Sequence, residues 1–172
     1  MDWRGILASS GLPDVLAAYD ARVVGTFPLG LDVAGSDVDI VCHAPDAKAF
    51  AHELWARFAQ SEHFALRQWV QGERAVIAQF SICDLPLEVF GAPVPVAMQA
   101  GWRHFEVERR LLALGGVAFH AAVREVRRTG VKTEPAFAQV LGLAGDPYAR
   151  LFELASARDG QLRGTLAQAG FA

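Results

Sequence analysis

Arg22-Val23-Val24-Gly25-Thr26 and, ten residues on, Asp37-Val38-Asp39-Ile40-Val41-Cys42 read as two short strands joined by a glycine-bearing loop. Side chains alternate faces along a strand, so Asp37 and Asp39 point the same way, roughly 7 Å apart. Two like charges on one face of an apolar strand repel each other and resist burial. A divalent cation with oxygen ligands is the economical compensation. Gly25 lets the backbone approach a bulky anion, and the amides there with the Thr26 hydroxyl can hold phosphate oxygens. An Asp-x-Asp pair alone is most often a solvated face or a turn; the spacing from Gly25-Thr26, with Ser36 directly ahead of the acids, sets this one apart.

That arrangement resembles the signature of the DNA polymerase β-like nucleotidyltransferase superfamily, in which two aspartates hold two magnesium ions and a Gly-Ser or Gly-Thr element touches a triphosphate. Further segments extend the likeness: Glu88-Val89-Phe90-Gly91, Arg103-His104-Phe105 and Lys132-Thr133-Glu134-Pro135-Ala136-Phe137-Ala138. With Gly25 to Leu29 and Ser36 to Cys42, they are similar to a small bacterial family of nucleotidyltransferase-like proteins known only as a domain of unknown function, over about residues 20–155. The resemblance implies an α/β (α+β) fold, a mixed-sheet nucleotidyltransferase core flanked by helices with a C-terminal helical bundle. It also implies a reaction, the magnesium-dependent transfer of a nucleotidyl group from a nucleoside triphosphate such as ATP to a hydroxyl of a small molecule or protein. Asp37, Asp39 and Glu88 would then be catalytic metal ligands, for one or two Mg2+ ions. Gly25, Thr26, Ser36, Lys132 and Arg103 would contact the nucleotide. Two alternatives stand beside this: a pseudo-enzyme that keeps nucleotide recognition for signalling, and an antitoxin-type protein that adds AMP to a toxin partner.

The bulk properties narrow the partners. At 172 residues the chain suits one domain or a core with a helical appendage. Net charge is −3, with no basic stripe, so the footprint of a polymerase or a general DNA binder is missing. The start Met1-Asp2-Trp3-Arg4-Gly5 lacks the form of a secretory leader, and Leu111 to Phe119 is too short to span a membrane. A cytoplasmic protein is expected. Cys42 and Cys83 are then free, buried thiols, and the five histidines show no zinc-ligand spacing.

Along the chain, residues 3–20 suggest a short helix and a restart at Gly11-Leu12-Pro13, with Trp3, Ile6, Leu7, Leu12, Val15, Leu16 and Tyr19 as the apolar face. Strands are expected at 21–25 and 37–43, with an irregular loop at 26–36. A helix follows from Pro45-Asp46 to about Gln60, burying Phe50, Leu54, Trp55 and Phe58. Residues 64–70 and 74–82 read as a hairpin about Gln71-Gly72-Glu73, and Pro86 to Phe90 as a last strand. Beyond Gly91-Ala92-Pro93 the pattern is helical: 96–114, 117–129, 134–141, 147–158 and 160–168. The division is therefore placed at residue 93, a sheet core over 1–93 and a helical subdomain over 94–172.

Several residues have two readings. Glu88 lies between Leu87 and Val89 and fits a third acid, which could also accept a proton; Asp84 competes, but Pro86 makes it the better turn residue. Asp32 fits a turn cap more readily than a ligand. Phe27-Pro28-Leu29-Gly30 disfavours the arginine-bearing helix found after Gly-Ser in many superfamily members, so a cation must come from elsewhere. Lys48 and Lys132 are the only lysines, and Lys132 precedes Thr133, the expected cap of a helix start. Arg103 could meet phosphate, although Glu106, Glu108, Arg109 and Arg110 suggest a surface ion-pair lattice on that helix. His104 with Glu108 at i,i+4 reads as a helix-surface hydrogen bond rather than a chelate.

Overall fold

The computed structural model describes residues 2–72 and 74–171. Among these are five strands and eight α-helices: α1 (Trp3–Ser9), α2 (Leu12–Leu16), β1 (Arg22–Val24), α3 (Thr26–Leu29), β2 (Val38–His43), α4 (Ala47–Phe58), β3 (Glu62–Gln68), β4 (Val76–Ile82), β5 (Leu85–Ala92), α5 (Ala100–Arg128), α6 (Thr133–Leu141), α7 (Pro147–Leu154) and α8 (Asp159–Gln168). The chain forms two compact units, residues 1–27 with 35–102, and residues 28–34 with 103–172.

The first unit is built on one mixed sheet of order β1-β2-β5-β4-β3. β2 and β5 run parallel, while β1-β2, β5-β4 and β4-β3 are antiparallel. One face is apolar: Val38, Ile40 and Cys42 of β2, Val76, Ala78 and Phe80 of β4, and Leu85, Leu87 and Val89 of β5 share a core with Phe50, Leu54 and Phe58 of α4 and Leu12 and Leu16 of α2. Trp3, Ile6, Leu7, Val15 and Tyr19 pack on its margin, so the expected N-terminal apolar face is used as a whole. The Asp46 carboxylate caps α4 by accepting from the amides of Lys48 and Ala49 at 3.0 and 2.9 Å. Between β4 and β5, Cys83 and Asp84 both take positive φ, 49° and 61°, the two-residue turn whose twist matches a hairpin.

Several expectations are revised here. Thr26–Leu29 is one turn of helix rather than irregular loop, because Pro28 sits in a first turn, where its missing N–H would have no intrahelical acceptor. Trp55 is exposed and meets Phe64 edge-on instead of entering the core. Cys83 is exposed in the β4–β5 turn while Cys42 is buried; both are free. Residues 96–98 form a 3₁₀ turn ahead of α5. Of the expected hairpin turn Gln71-Gly72-Glu73, Glu73 lies outside the described residues, as does Met1 at the start of the chain.

In the second unit Leu111, Phe119, Val123, Phe137, Leu151, Leu162 and Leu166 are buried, with Phe119 edge-on to both Phe137 and Phe171. Gly116 breaks α5, at φ 64° and ψ −162°. The 28–34 segment is tied to α5 through its carbonyls: His120 Nε2 lies 3.0 Å from Leu29 O, and Arg127 Nε donates to Leu31 O at 3.4 Å.

The expected surface lattice on α5 is only partly formed. Arg109 pairs with Glu106 at 3.0 Å, but Arg110 reaches Asp159 at 2.7 Å, and Glu108 is buried with its Oε1 lacking a hydrogen-bond partner. His104 turns to Glu134 instead, with Nδ1 3.6 Å from Oε1. Burial raises the Glu108 carboxyl well above its ordinary range; the Glu134 charge adds to the effect and Arg127 opposes it. Burial is also the largest single influence on Glu134, yet the His104 hydrogen bond, a backbone hydrogen bond and the His104 and Lys132 charges together outweigh it, and the net shift is downward.

The Glu108 shift fixes the sign of a pH effect. A carboxyl whose pKa is raised in the folded state contributes its full stability below its unfolded value and loses it as pH rises through the folded value. Glu108→Gln is therefore expected to unfold at a higher temperature than the parent at about pH 8, with the difference shrinking toward about pH 4. Thermal melts across that range check it, and a parent more stable than the variant at neutral pH would contradict it.

Candidate functional site

The sheet face opposite the core carries the polar residues, and strand register sets their order. Val24 of β1 lies opposite Asp39 of β2, Asp39 opposite Glu88 of β5, Glu88 opposite Gln79 of β4, and Gln79 opposite Ala65 of β3. Cross-strand partners share a face, so Asp39 and Glu88 stand side by side about 4.8 Å apart in backbone spacing. Their sequence neighbours Val38, Ile40, Leu87 and Val89 are all buried on the other side. Asp37 directly precedes β2 and is half-buried; it lies just outside the strand, whose expected start was residue 37.

Gly25 sets the position of Asp39. Its φ is +74°, and a β-carbon there would fall 2.1 Å from Asp39 Oδ2. The carboxylate therefore rests against bare backbone at the end of β1. Thr26 follows, 8% exposed, opening α3, and Ser36 is half-buried just ahead of Asp37. Glycine backbone and the Asp39 carboxylate thus meet at the end of β1 within the first unit, with Glu88 in register beside Asp39.

Glu88 has partners of its own. Gln79 Nε2 donates to Glu88 Oε2 at 2.7 Å, and Arg67 Nη2 lies 3.8 Å from the same oxygen. Arg67 Nη1 also donates to Gln79 Oε1 at 3.0 Å. Neither Gln79 nor Arg67 was expected from the sequence. Their signal lies in the pairing of strands, since nothing in the local pattern of β3 or β4 marks them. Asp84 occupies the β4–β5 turn.

The two expected basic residues lie in the helical unit. Lys132 is exposed at the N-cap position of α6, its carbonyl accepting from Ala136 N at 2.9 Å; the extended backbone at Lys132 makes it, and not Thr133, the cap residue. Arg103 is committed elsewhere, donating to Ser156 Oγ at 2.9 Å with its guanidinium 3.9 Å above the Phe152 ring.

Among the described residues no three His, Cys, Asp or Glu side chains converge as a metal-holding group. The chemistry of the donors nevertheless suits magnesium, a hard cation that keeps several waters and takes one or two protein carboxylates with substrate phosphates as further ligands. Asp39 with Asp37 or Glu88 meets that requirement without a closed protein cage.

Residues 5–154 match the family model described as Domain of unknown function (DUF4269), so the chain belongs to that family. Comparison with curated proteins gives no match. Among solved structures the fold is similar to that of Cid1, described as having RNA terminal uridylyl transferase activity, with a TM-score of 0.61 at 14% identity. That likeness covers 84% of this chain and 48% of Cid1, so the chain spans about half the length of that relative. A Cid1 poly(U) polymerase structure with MgGTP bound gives 0.54 at 12% identity, over 72% of this chain and 40% of that one. The GLD-2/RNP-8 complex gives 0.54 at 11% identity, over 95% and 73%. At such identities the likeness shows a nucleotidyltransferase-like fold.

Gly25 offers a direct test of this site. Gly25→Ala is expected to cost about 1–3 kcal/mol of stability through the left-handed backbone alone, and to push the Asp39 carboxylate off its seat. Denaturant unfolding measures the first effect and a structure of the variant the second. An alanine accommodated at parental stability with Asp39 unmoved would show that the close approach is not a constraint.

Proposed function

We propose that this DUF4269 member binds a nucleoside triphosphate together with magnesium and transfers a nucleotidyl group to a hydroxyl of a small molecule or protein. The observation that carries the reading is the seat of Asp39, against the bare backbone of Gly25 on one side and in register with Glu88 on the other. The fold likeness supports it, and the net charge of −3 favours an acceptor other than a long nucleic acid.

In this reading Asp37 and Asp39 hold the cation and Glu88 adds a third carboxylate. Bound magnesium would lower the pKa of the acceptor hydroxyl and neutralise the departing pyrophosphate. Gly25 and Thr26 offer backbone and hydroxyl donors to the phosphates, with Ser36 beside the diacid. The acceptor oxygen forms a bond to the α-phosphorus as the bond to the bridging oxygen breaks, and pyrophosphate leaves. A Glu88 carboxylate oxygen would take the acceptor's proton.

A second reading has one observation in its favour. Glu88 is already engaged by Gln79 and Arg67, as it would be in a protein that recognises nucleotide without turning it over.

Calorimetric titration with each of the four triphosphates, with and without magnesium, is the test. The parent is expected to bind at least one in a magnesium-dependent manner, and the double variant Asp37→Asn with Asp39→Asn to lose that binding while remaining folded. Removing like-charge repulsion should leave its metal-free melting temperature level or higher. A double variant that binds as the parent does would refute the site. Binding without pyrophosphate release for any acceptor tried would select the second reading.

A further inference from the structure

The Glu88 carboxylate is gripped by one oxygen. Both contacts, from Gln79 Nε2 at 2.7 Å and Arg67 Nη2 at 3.8 Å, fall on Oε2. The grip is braced, because Arg67 Nη1 holds Gln79 Oε1 at 3.0 Å and so fixes which end of that amide faces Glu88. The three residues come from three adjacent strands, β3, β4 and β5, on the face that also carries Asp39. The two donors differ in kind. Gln79 is neutral and half-buried, with a short bond that orients. Arg67 is charged, its side chain 54% exposed, and its longer contact is of the sort that is readily exchanged for another partner.

We propose that Gln79 and Arg67 are positioning residues for Glu88 with opposite effects on cation binding. Gln79 holds the carboxylate beside Asp39 in a geometry ready for a divalent ion, and Arg67 supplies the counter-charge that such an ion must displace. The proposal rests on the reading of Asp37, Asp39 and Glu88 as a cation site. A cation approaching Glu88 meets a guanidinium less than 4 Å from one of its oxygens, and the repulsion between the two positive charges weakens its binding. Gln79 adds no charge, so it contributes orientation without competition. Once the ion is bound, Arg67 is released toward solvent or toward an anionic group on a substrate.

The prediction is a pair of effects of opposite sign, read on metal-free protein by calorimetric titration with magnesium or manganese, no turnover being required. Arg67→Met is expected to tighten cation binding about two- to fivefold, the scale of an exposed ion pair. Arg67→Lys, which keeps the charge, should return it toward the parent value. Gln79→Leu is expected to weaken binding about tenfold, the scale of a hydrogen bond to a charged group. Thermal melts establish that each variant is folded, and the exposed Arg67 serves as an independent probe should Gln79→Leu unfold. If Arg67→Met and Gln79→Leu bind as the parent does while Asp37→Asn with Asp39→Asn loses the ion, the clamp is wrong and the cation site stands. If the double aspartate variant itself binds as the parent does, the underlying site assignment falls and the clamp with it.

Discussion

The parallel pairing of β2 with β5 is the constraint on which the sheet unit depends. The two strands are separated in sequence by α4 and the β3–β4 hairpin, yet Val38 through His43 lie in unbroken register against Leu87 through Ala92. That register buries Val38, Ile40, Leu87 and Val89 on one face and leaves Asp39 and Glu88 together on the other. A slip of one residue would turn one strand over against the other, driving either Asp39 or Glu88 into the core. The apolar side therefore enforces the polar side. The two-residue turn at Cys83-Asp84 extends the same control to β4, fixing Gln79 opposite Glu88.

Two acids in this protein show different solutions to partial or full burial. Glu88 keeps an amide and a guanidinium at one oxygen on an accessible sheet face. Glu108, deep in the helical unit with an unpartnered Oε1, is driven toward its neutral form by burial. The charged solution leaves a carboxylate that can exchange partners, which chemistry requires; the neutral one yields a carboxyl whose cost depends on proton concentration.

The features legible in the sequence were those encoded by short-range pattern. Alternation about Val38 and Ile40, the turn expected at Asp84 and the break expected between residues 114 and 117 each mark a strand, a turn or an interruption of a helix, and the structure has them there. The mixed α/β class followed from the same signals. What escaped depended on partners distant in sequence. Glu108 sits among charged residues and looked solvated, but it is buried, with the Glu134 charge of α6 acting on it. Trp55 has the helical spacing of a core residue and lies outside, because Phe50, Leu54 and Phe58 already fill the stripe beneath α4. Arg67 and Gln79 gained meaning only when three strands were aligned.

The path of the chain between the two units has a consequence for how this protein can change over time. Residues 28–34 belong to the helical unit, with Leu29 and Leu31 buried there and their carbonyls held by His120 and Arg127, while the residues on either side belong to the sheet. The backbone thus passes from one unit to the other three times, and no single cut separates them. A gene truncated after the sheet would strand a hydrophobic segment without its packing partners, and one that kept only the helices would lose part of their core. Neither unit is one contiguous stretch of chain, so exchanging either as a single module would carry away or leave behind part of a core.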